Sequence, residues 1–468
     1  MLQHKRSRQK RLVRQPMRVA LFHLGFFYSG GGEKLVLEEM RALRATGIDV
    51  DCFAPYVDRK RCFPDMPEVA EVQSLLPPPP EWLPMKDPLW IALTCILIPL
   101  FALRFQAYDI FFGANQPGAW IAFVLSRLLR IPYVIYLAHP IRILHPREID
   151  RISEIRIREG DHRFISLLTR TAGWFLDWAD RISVDQASAV LTNGRHVGNW
   201  FRKVYNRESL DCPAGCHPIA QTALEYANRW SGDICVSGTK IQKPFVLLSN
   251  RHVPQKRFEY AIWAMKQIAR DVPGLSLVIT GQETEYTDQL KYLVGGLRLT
   301  DRVQFIGLVP EKELRVLYRQ SVVYVYPSPE EDFGMGIIEA MAAGTPVVAW
   351  RNGGPTVTVV DEETGFLVEP YDVDEFSESM LALASNPSLS ERMGRRGHRR
   401  AKGLFSYERH SQVLLQTLQA ALDSSELPEA EVFPHIAATN SIIERSNIPI
   451  DNQDLDAVEV FEHVRSRE

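Results

Sequence analysis

The chain has 468 residues, 46% of them hydrophobic and 24% charged, and a formal net charge of -3. That length accommodates two or three domains with cores of their own, and the composition excludes a disordered, collagen-like or coiled-coil chain. The near-neutral balance gives no electrostatic footprint for nucleic acid.

The first sixteen residues carry Lys5, Arg6, Arg8, Lys10, Arg11 and Arg14 with no acid among them. No signal-peptide apolar stretch follows, and strand-like sequence starts with Met17. This leader is read as disordered, as preceding a true start at Met17, or as an attraction to anionic lipid at about 1 kcal/mol per basic side chain. A strand, Arg18 to His23, then leads through the glycine run Ser29-Gly30-Gly31-Gly32 into a helix, where Leu35, Val36, Met40 and Leu43 recur at helical spacing. Gly47 stops that helix before a second strand, Ile48 to Phe53. Strand, turn, helix and strand in this order form a βαβ unit and argue for a parallel sheet. The glycine run is neither a Walker loop nor G-x-G-x-x-G, so no dinucleotide fingerprint is present.

From Pro88 to Leu103 the chain is apolar, but this run is shorter than the roughly 20 residues a bilayer span needs, and Pro99 interrupts it. A buried or interface-lying helix is expected there. Strands Ile110 to Gly113, Tyr133 to Leu137 and Ala189 to Thr192 alternate with helices Ala119 to Arg130 and Thr171 to Ile182. Between Asp211 and Lys243 the residues Pro213, Gly215, Pro218, Gly232 and Gly238 loosen the pattern, which reads as a domain connection. Six scattered cysteines read as thiols in a reducing compartment. Cys212, Cys216 and His217 are spaced closely enough to share zinc, yet no second ligand pair follows, and no metal site is expected.

A second alternating series begins at Phe245 to Ser249 and runs through strands Ser276 to Thr280, Val303 to Ile306, Val322 to Tyr326 and Pro346 to Ala349. The helices between them are Glu259 to Arg270, Thr287 to Leu297, Lys312 to Arg319 and Gly336 to Ala343. The fold class is therefore α/β, two doubly wound Rossmann-like domains facing a cleft, with ligands expected beyond the carboxyl ends of the strands. The division is a basic leader 1–16, a first domain 17–215, a linker region 216–243, a second domain 244–405, a helix 406–422 and a mostly disordered tail 423–468, with some helix expected near Leu455 to Val464.

Two stretches carry chemistry. In the first, a strand ends at Pro327, a loop bears Glu331, and a helix near Gly336 bears Glu339. Both carboxylates then face one crevice, and the backbone N–H groups around Gly334, Met335 and Gly336 offer a site for anionic oxygen. Carboxylates suit sugar and ribose hydroxyls because each accepts hydrogen bonds in a fork. An acidic helix start favoured by the dipole is the bland alternative. In the second, Arg251 and Lys256 leave the carboxyl end of a strand, a planar fork beside a mobile point charge, a pairing suited to a diphosphate. An exposed basic loop is the alternative.

From Met17 to Leu422 the chain resembles glycosyltransferase family 4 (group 1), whose members have the GT-B fold. The E-x7-E motif of that family falls on Glu331 and Glu339, the second opening Glu-Ala-Met-Ala-x-Gly-x-Pro-Val, with Phe333 and Gly334 in place. Arg251 and Lys256 match its diphosphate-binding pair, Gly31 and Gly32 its first-domain glycine loop, and Tyr136 to Arg142 its histidine-bearing strand end. The resemblance implies that Glu331 holds hydroxyls of the transferred sugar and Glu339 the ribose. It also implies that Arg251 and Lys256 neutralise the departing diphosphate, and that His139 lies beside the reacting carbon, unless its ring only caps the turn at Pro140. Phe333, Gly334, Met335, Gly31 and Gly32 complete the implied donor site. Asp332 stands where glycine is usual, and Val357 where glutamate is usual; both departures bear on sugar specificity.

Breaking a glycosyl–phosphate bond leaves negative charge on the diphosphate, to be met by a metal or by fixed cations. The acidic pairs Asp49/Asp51 and Asp372/Asp374 read as a strand and a helix cap, so metal-independent chemistry is expected. The expected reaction is retaining transfer of a hexose, with a lean to mannose, from a GDP- or UDP-sugar to a lipid-linked or glycan acceptor. No further cofactor is required, and the setting is cytoplasmic with peripheral membrane contact. The alternatives are a nucleotide-sugar epimerase of the same architecture and a non-catalytic sensor of sugar nucleotides.

Overall fold

The structure is a computed structural model of the chain. It describes residues 16–27, 30–63, 66–83, 85–142, 144–147, 149, 159–219, 226 and 228–423, with backbone alone for 159–170. Residues 1–15 of the basic leader, Ser29 and the tail beyond 423 lie outside the described residues.

Seven strands form the first sheet: β1 (Arg18–His23), β2 (Asp49–Ala54), β3 (Gln73–Ser74), β4 (Ile110–Ala114), β5 (Tyr133–Leu137), β6 (Ala189–Thr192) and β7 (Leu210–Asp211). A hairpin follows, β8 (Asp233–Val236) and β9 (Thr239–Gln242). The second sheet is β10 (Phe245–Ser249), β11 (Ser276–Thr280), β12 (Val303–Gly307), β13 (Val323–Tyr326), β14 (Val347–Trp350) and β15 (Gly365–Val368). Spatial order is β3-β2-β1-β4-β5-β6-β7 in one and β12-β11-β10-β13-β14-β15 in the other. Every pairing within the two sheets is parallel. The central strands are buried along their whole length, β4, β5 and β11 for example, as sheets covered by helices on both faces require.

Helices of eight residues or more are α1 (Gly31–Ala45), α2 (Lys86–Leu97), α3 (Gly118–Leu129), α4 (Glu159–Asp185), α5 (Arg195–Tyr205), α6 (Phe258–Ile268), α7 (Glu285–Gly296), α8 (Glu311–Gln320), α9 (Met335–Ala342), α10 (Val373–Ser385), α11 (Pro387–Leu404) and α12 (Tyr407–Asp423). The expected α/β architecture with two sheets is what the structure has. Strand order reverses at β1/β4 and at β10/β13, and at such switch points the loops leaving adjacent strands diverge and open a crevice.

Three features depart from the sequence reading. The apolar run is helical over Lys86–Phe105, as α2 continues into 3-10 turns from Ile98; Pro99 sits at the start of those turns, where its missing N–H is least needed. The stretch read as a loose connection holds the β8–β9 hairpin, whose glycine belongs to a two-residue turn with Ser237 at φ 48° and Gly238 at φ 78°. Helix α4 begins well before Thr171, at Glu159.

The chain crosses between lobes twice, near Cys216 and near Ser406, and these segments pair in a parallel bridge. Helix α12 thus returns to pack on α1 and β5 of the first lobe. There the buried His410 ring meets Glu39 Oε1 through Nε2 at 3.0 Å and the Pro213 carbonyl through Nδ1 at 2.9 Å. A continuous apolar cluster joins the lobes, running from Val19 and Leu35 to Tyr324, Phe333 and Leu414.

Candidate active site

Glu331 lies on the loop that leaves β13, and Lys256 in a 3-10 turn (Pro254–Lys256) that follows β10. Those strands are neighbours at the second sheet's switch point, so the two side chains meet and form an ion pair. Ser328 donates its hydroxyl to Glu331 Oε2 at 3.2 Å, and Lys256 also donates to the Tyr326 hydroxyl at 3.3 Å. Burial pushes the Glu331 carboxyl up, yet the Lys256 ammonium, backed by Arg147 and Arg142, holds it down at about 2. Gly353, at φ 70°, brings its chain against this loop: a Cβ there would lie 2.4 Å from the Glu331 carbonyl oxygen. Arg251 is exposed on the same strand-end loop as Lys256.

Glu339 sits in the second turn of α9. Gly336, beneath it, allows the helix to approach the second sheet, because a Cβ would lie 2.2 Å from the Tyr324 hydroxyl. Tyr318 donates to Glu339 Oε2 at 3.1 Å, and Lys34 of the first lobe donates to Oε1 at 2.6 Å. Lys34 also reaches Glu311 at 2.9 Å. Burial opposes charge on Lys34, but Glu339 and Glu311 raise its pKa and keep it an ammonium. A small hollow, open to solvent, lies beside this group, with Lys34, His217, Glu311, Arg315 and Tyr407 in its lining.

Gly31 and Gly32 are the first two residues of α1 rather than a loop before it; Gly30 stays extended (φ -124°, ψ 169°) and its carbonyl accepts from Lys34 N at 3.0 Å. A Cβ on Gly31 would stand 3.4 Å from Met335 Cγ. The start of α1 therefore faces the start of α9, where Gly334 takes φ 87° and the N–H groups of Met335 and Gly336 precede the helix's own carbonyl partners. The Phe333 side chain is buried and packs edge-on against Phe405 with centroids 5.8 Å apart, so what Phe333 offers a ligand is its backbone.

His139 follows β5 and is half-buried. Its Nδ1 lies 2.8 Å from the Pro140 carbonyl, and among the described residues no hydrogen bond engages Nε2. Burial and nearby Arg142 lower its pKa, which keeps the ring neutral near pH 7. Just beyond, Arg142 forms an ion pair with the buried Asp332, Arg147 Nη1 donates to the Glu330 carbonyl at 2.6 Å, and Ile149 N donates to Glu330 Oε2 at 3.2 Å. The segment after β5 is thus clasped to the Glu331 loop.

The structure pairs Lys256 with Glu331, puts Gly334, Met335 and Glu339 on the loop and helix that follow Glu331, and sets Gly31 against Met335 and the His139 segment against the Glu331 loop. Sequence reasoning missed Lys34, Tyr318 and the Arg142–Asp332 pair. A lysine in the opening turns of a helix runs against the dipole, and that was the available signal for Lys34. Among the described residues no group of three acidic, histidine or cysteine side chains is arranged to hold a metal ion. Cys212 turns to His410, Cys216 to the Phe405 carbonyl and His217 to Glu38. Asp49 pairs with Arg18, Asp51 accepts from Tyr108, and Asp372 caps α10 through Glu375 N at 2.9 Å.

The family model described as glycosyl transferases group 1 matches residues 236–400, and that of a glycosyl transferase 4-like domain matches residues 30–209. The alpha-1,3/1,6-mannosyltransferase ALG2 of Mus musculus is 26% identical over 414 residues, 83% of this chain and 92% of that protein. The D-inositol 3-phosphate glycosyltransferase of Streptomyces avermitilis is 37% identical over 186 residues, 38% of this chain and 40% of that one. Among solved structures, sucrose-phosphate synthase from Thermosynechococcus elongatus superposes with a TM-score of 0.66 at 22% identity, covering 87% of this chain and 100% of that one. HepE from Anabaena, solved with UDP, gives 0.65 at 17% identity, covering 86% and 100%.

Proposed function

Because the chain belongs to the group 1 glycosyltransferases and has their GT-B fold, we propose that it transfers a hexose, mannose by preference, from a nucleotide-diphospho-sugar to a lipid-linked or glycan acceptor. The observation that carries this reading is the meeting of two helix starts, Gly31 of one lobe and Met335 of the other, the latter following the loop on which Glu331 pairs with Lys256. Opposed helix N-termini and a lysine make a place for a diphosphate, and the adjoining carboxylates accept hydroxyls. Mannose is favoured because the relative aligned over most of the chain is named a mannosyltransferase.

In this reading Lys256 keeps one N–H on Glu331, a second on Tyr326 and a third for a phosphate oxygen. Arg251 adds a planar fork to the same charge. Glu331, ionised by its cations, fixes sugar hydroxyls, while Glu339 accepts from the ribose. As the glycosyl–phosphate bond breaks, the diphosphate gathers negative charge and these fixed cations stabilise it without a metal. The acceptor attacks the face that the leaving group vacates, with retention of configuration, and neutral His139 lies beside the sugar. The protein works on the cytoplasmic face of a membrane.

The test is incubation of the full chain with radiolabelled GDP- and UDP-sugars, with and without a membrane lipid extract. Label appearing in lipid or glycan, with the anomeric configuration kept and with excess chelator present, is the expected result. Conversion of the nucleotide sugar without acceptor would indicate an epimerase, and binding without turnover a sensor. Activity abolished by chelator and restored by manganese would overturn the metal-independent step.

A further inference from the structure

The segment Lys86–Phe105 is 20 residues long and apolar enough, by length and composition, to cross a bilayer. The way it is held decides against crossing. Thr94, Ile98, Ala102 and Phe105 recur at helical spacing and are at most 8% exposed. Ile98, Ala102 and Phe105 belong to the core under the first sheet, with Phe22 and Phe111. A helix pinned along such a stripe cannot leave for the membrane interior without emptying that core.

The opposite stripe faces outward. Ile96, Leu100 and Leu103 are 72%, 78% and 75% exposed, on a face that an ordinary surface helix would make polar. The apolar surface extends through α3, which packs on both the 3-10 turns and α4. On α4, Trp174 and Trp178 are 75% and 49% exposed, and Trp178 touches Trp120 of α3 with centroids 6.4 Å apart. Charge on the 86–105 helix and α3 side of the patch is basic, while α4 carries the exposed Asp185 and an Asp177 that pairs with Arg181. Between Met85 and Arg130 the exposed charged side chains are Arg104, Arg127 and Arg130, whereas Asp87 and Asp109 are engaged by the Tyr56 hydroxyl and by Arg18 N.

We propose that this face of the first lobe lies on an anionic lipid surface, with the 86–105 helix parallel to the membrane plane. Its outer stripe and the α4 tryptophans sit at the headgroup boundary, where indole rings are favoured, and the arginines meet lipid phosphates. The inference rests on the membrane setting proposed above and is read without donor or acceptor, so its failure removes that setting and leaves the transfer reaction standing.

The experiment is sedimentation of the full chain with vesicles of phosphatidylcholine, and of phosphatidylcholine with phosphatidylglycerol. The protein sediments with the anionic vesicles, and its tryptophan emission shifts to the blue. Replacing Ile96, Leu100 and Leu103 together by Gln leaves the thermal transition in place and weakens binding by roughly a hundredfold, since exposed apolar side chains lose their burial in lipid. Trp174→Gln with Trp178→Gln weakens binding by about tenfold and removes most of the emission shift. Equal binding by the Gln variants would overturn the proposal, because some other segment would then hold the membrane. Absence of wild-type binding, or a solution dimer that the triple variant converts to monomer, would overturn it too. Wild-type protein that resists release from vesicles by alkaline carbonate would show a spanning helix instead.

Discussion

Glu331 and Glu339 are the same residue type on one loop–helix segment, yet their cations come from different places. Glu331 is paired by Lys256, and both stand on loops from neighbouring strands of a single sheet. Glu339 is paired by Lys34, which reaches it from the other lobe. The first pair is set by the packing of one domain and stays formed however the lobes move. The second exists only while the lobes hold their relation, as does the Arg142–Asp332 pair beside it. In the proposed reaction a preorganised charge suits the departing phosphate, because it needs no rearrangement as the bond breaks. A charge that spans two bodies suits the coupling of substrate binding to lobe closure.

The sharpest way to break this comparison is Lys256→Ala. It should remove about 2–4 kcal/mol of transition-state stabilisation, as loss of an oxyanion donor does elsewhere. Turnover within threefold of wild type would reject the assignment. Next is the support of α9 itself. The buried Arg229 guanidinium donates to the carbonyls of Arg319, Gly344 and Ala343 at 2.9–3.0 Å, closing the ends of α8 and α9. Arg229→Ala should cost about 2–3 kcal/mol of stability by leaving those carbonyls buried and unpaired, which a denaturant midpoint will show.

Lys34→Ala should act on binding rather than chemistry. Without that ammonium the half-buried Glu339 carboxylate loses the partner that fixes its position for the proposed ribose contact, so donor KM should rise about tenfold while kcat stays nearly level. An equal fall in kcat for the Lys34 and Lys256 variants would erase the distinction between the two pairs. A double-mutant cycle of Arg142→Ala and Asp332→Ala, read on kcat/KM, should give a coupling of about 1 kcal/mol. Additive effects would show that this clasp does not shape the site.

The pH dependences are the gentlest test. His139 titrates below the usual histidine range, so its protonation should cut kcat/KM only on the acid side of neutrality. His139→Ala should lower turnover without moving the thermal transition. Glu331, depressed from 4.5 to about 2, contributes stability that is complete above pH 4.5 and lost as the pH falls towards 2. Glu331→Gln should flatten that part of an acid unfolding curve.

The placing of Glu331, Glu339, Arg251 and Lys256 on strand-end loops and a helix was legible in the sequence, because a strand end, a loop and a helix start are local patterns. The two parallel sheets were legible for the same reason. The Lys34–Glu339 and Arg142–Asp332 pairs were not, because their partners lie 305 and 190 residues apart and no periodicity encodes a contact across lobes. Asp332 in a glycine position was noticed, but its role depends on Arg142, which only the fold supplies. Strands β3 and β7, two residues each, are too short to show alternation. In the 86–105 helix Pro99 looked like an interruption, although at the start of the 3-10 turns it is tolerated.

The most direct measurement is a structure of the full chain with a nucleoside diphosphate bound. Phosphate oxygens should lie about 3 Å from Lys256 Nζ, from the Arg251 guanidinium and from the N–H of Met335 or Gly336, with the ribose hydroxyls on Glu339. A diphosphate seated away from both strand-end loops, with no phosphate oxygen on Lys256 and nothing at Glu339, would contradict the account.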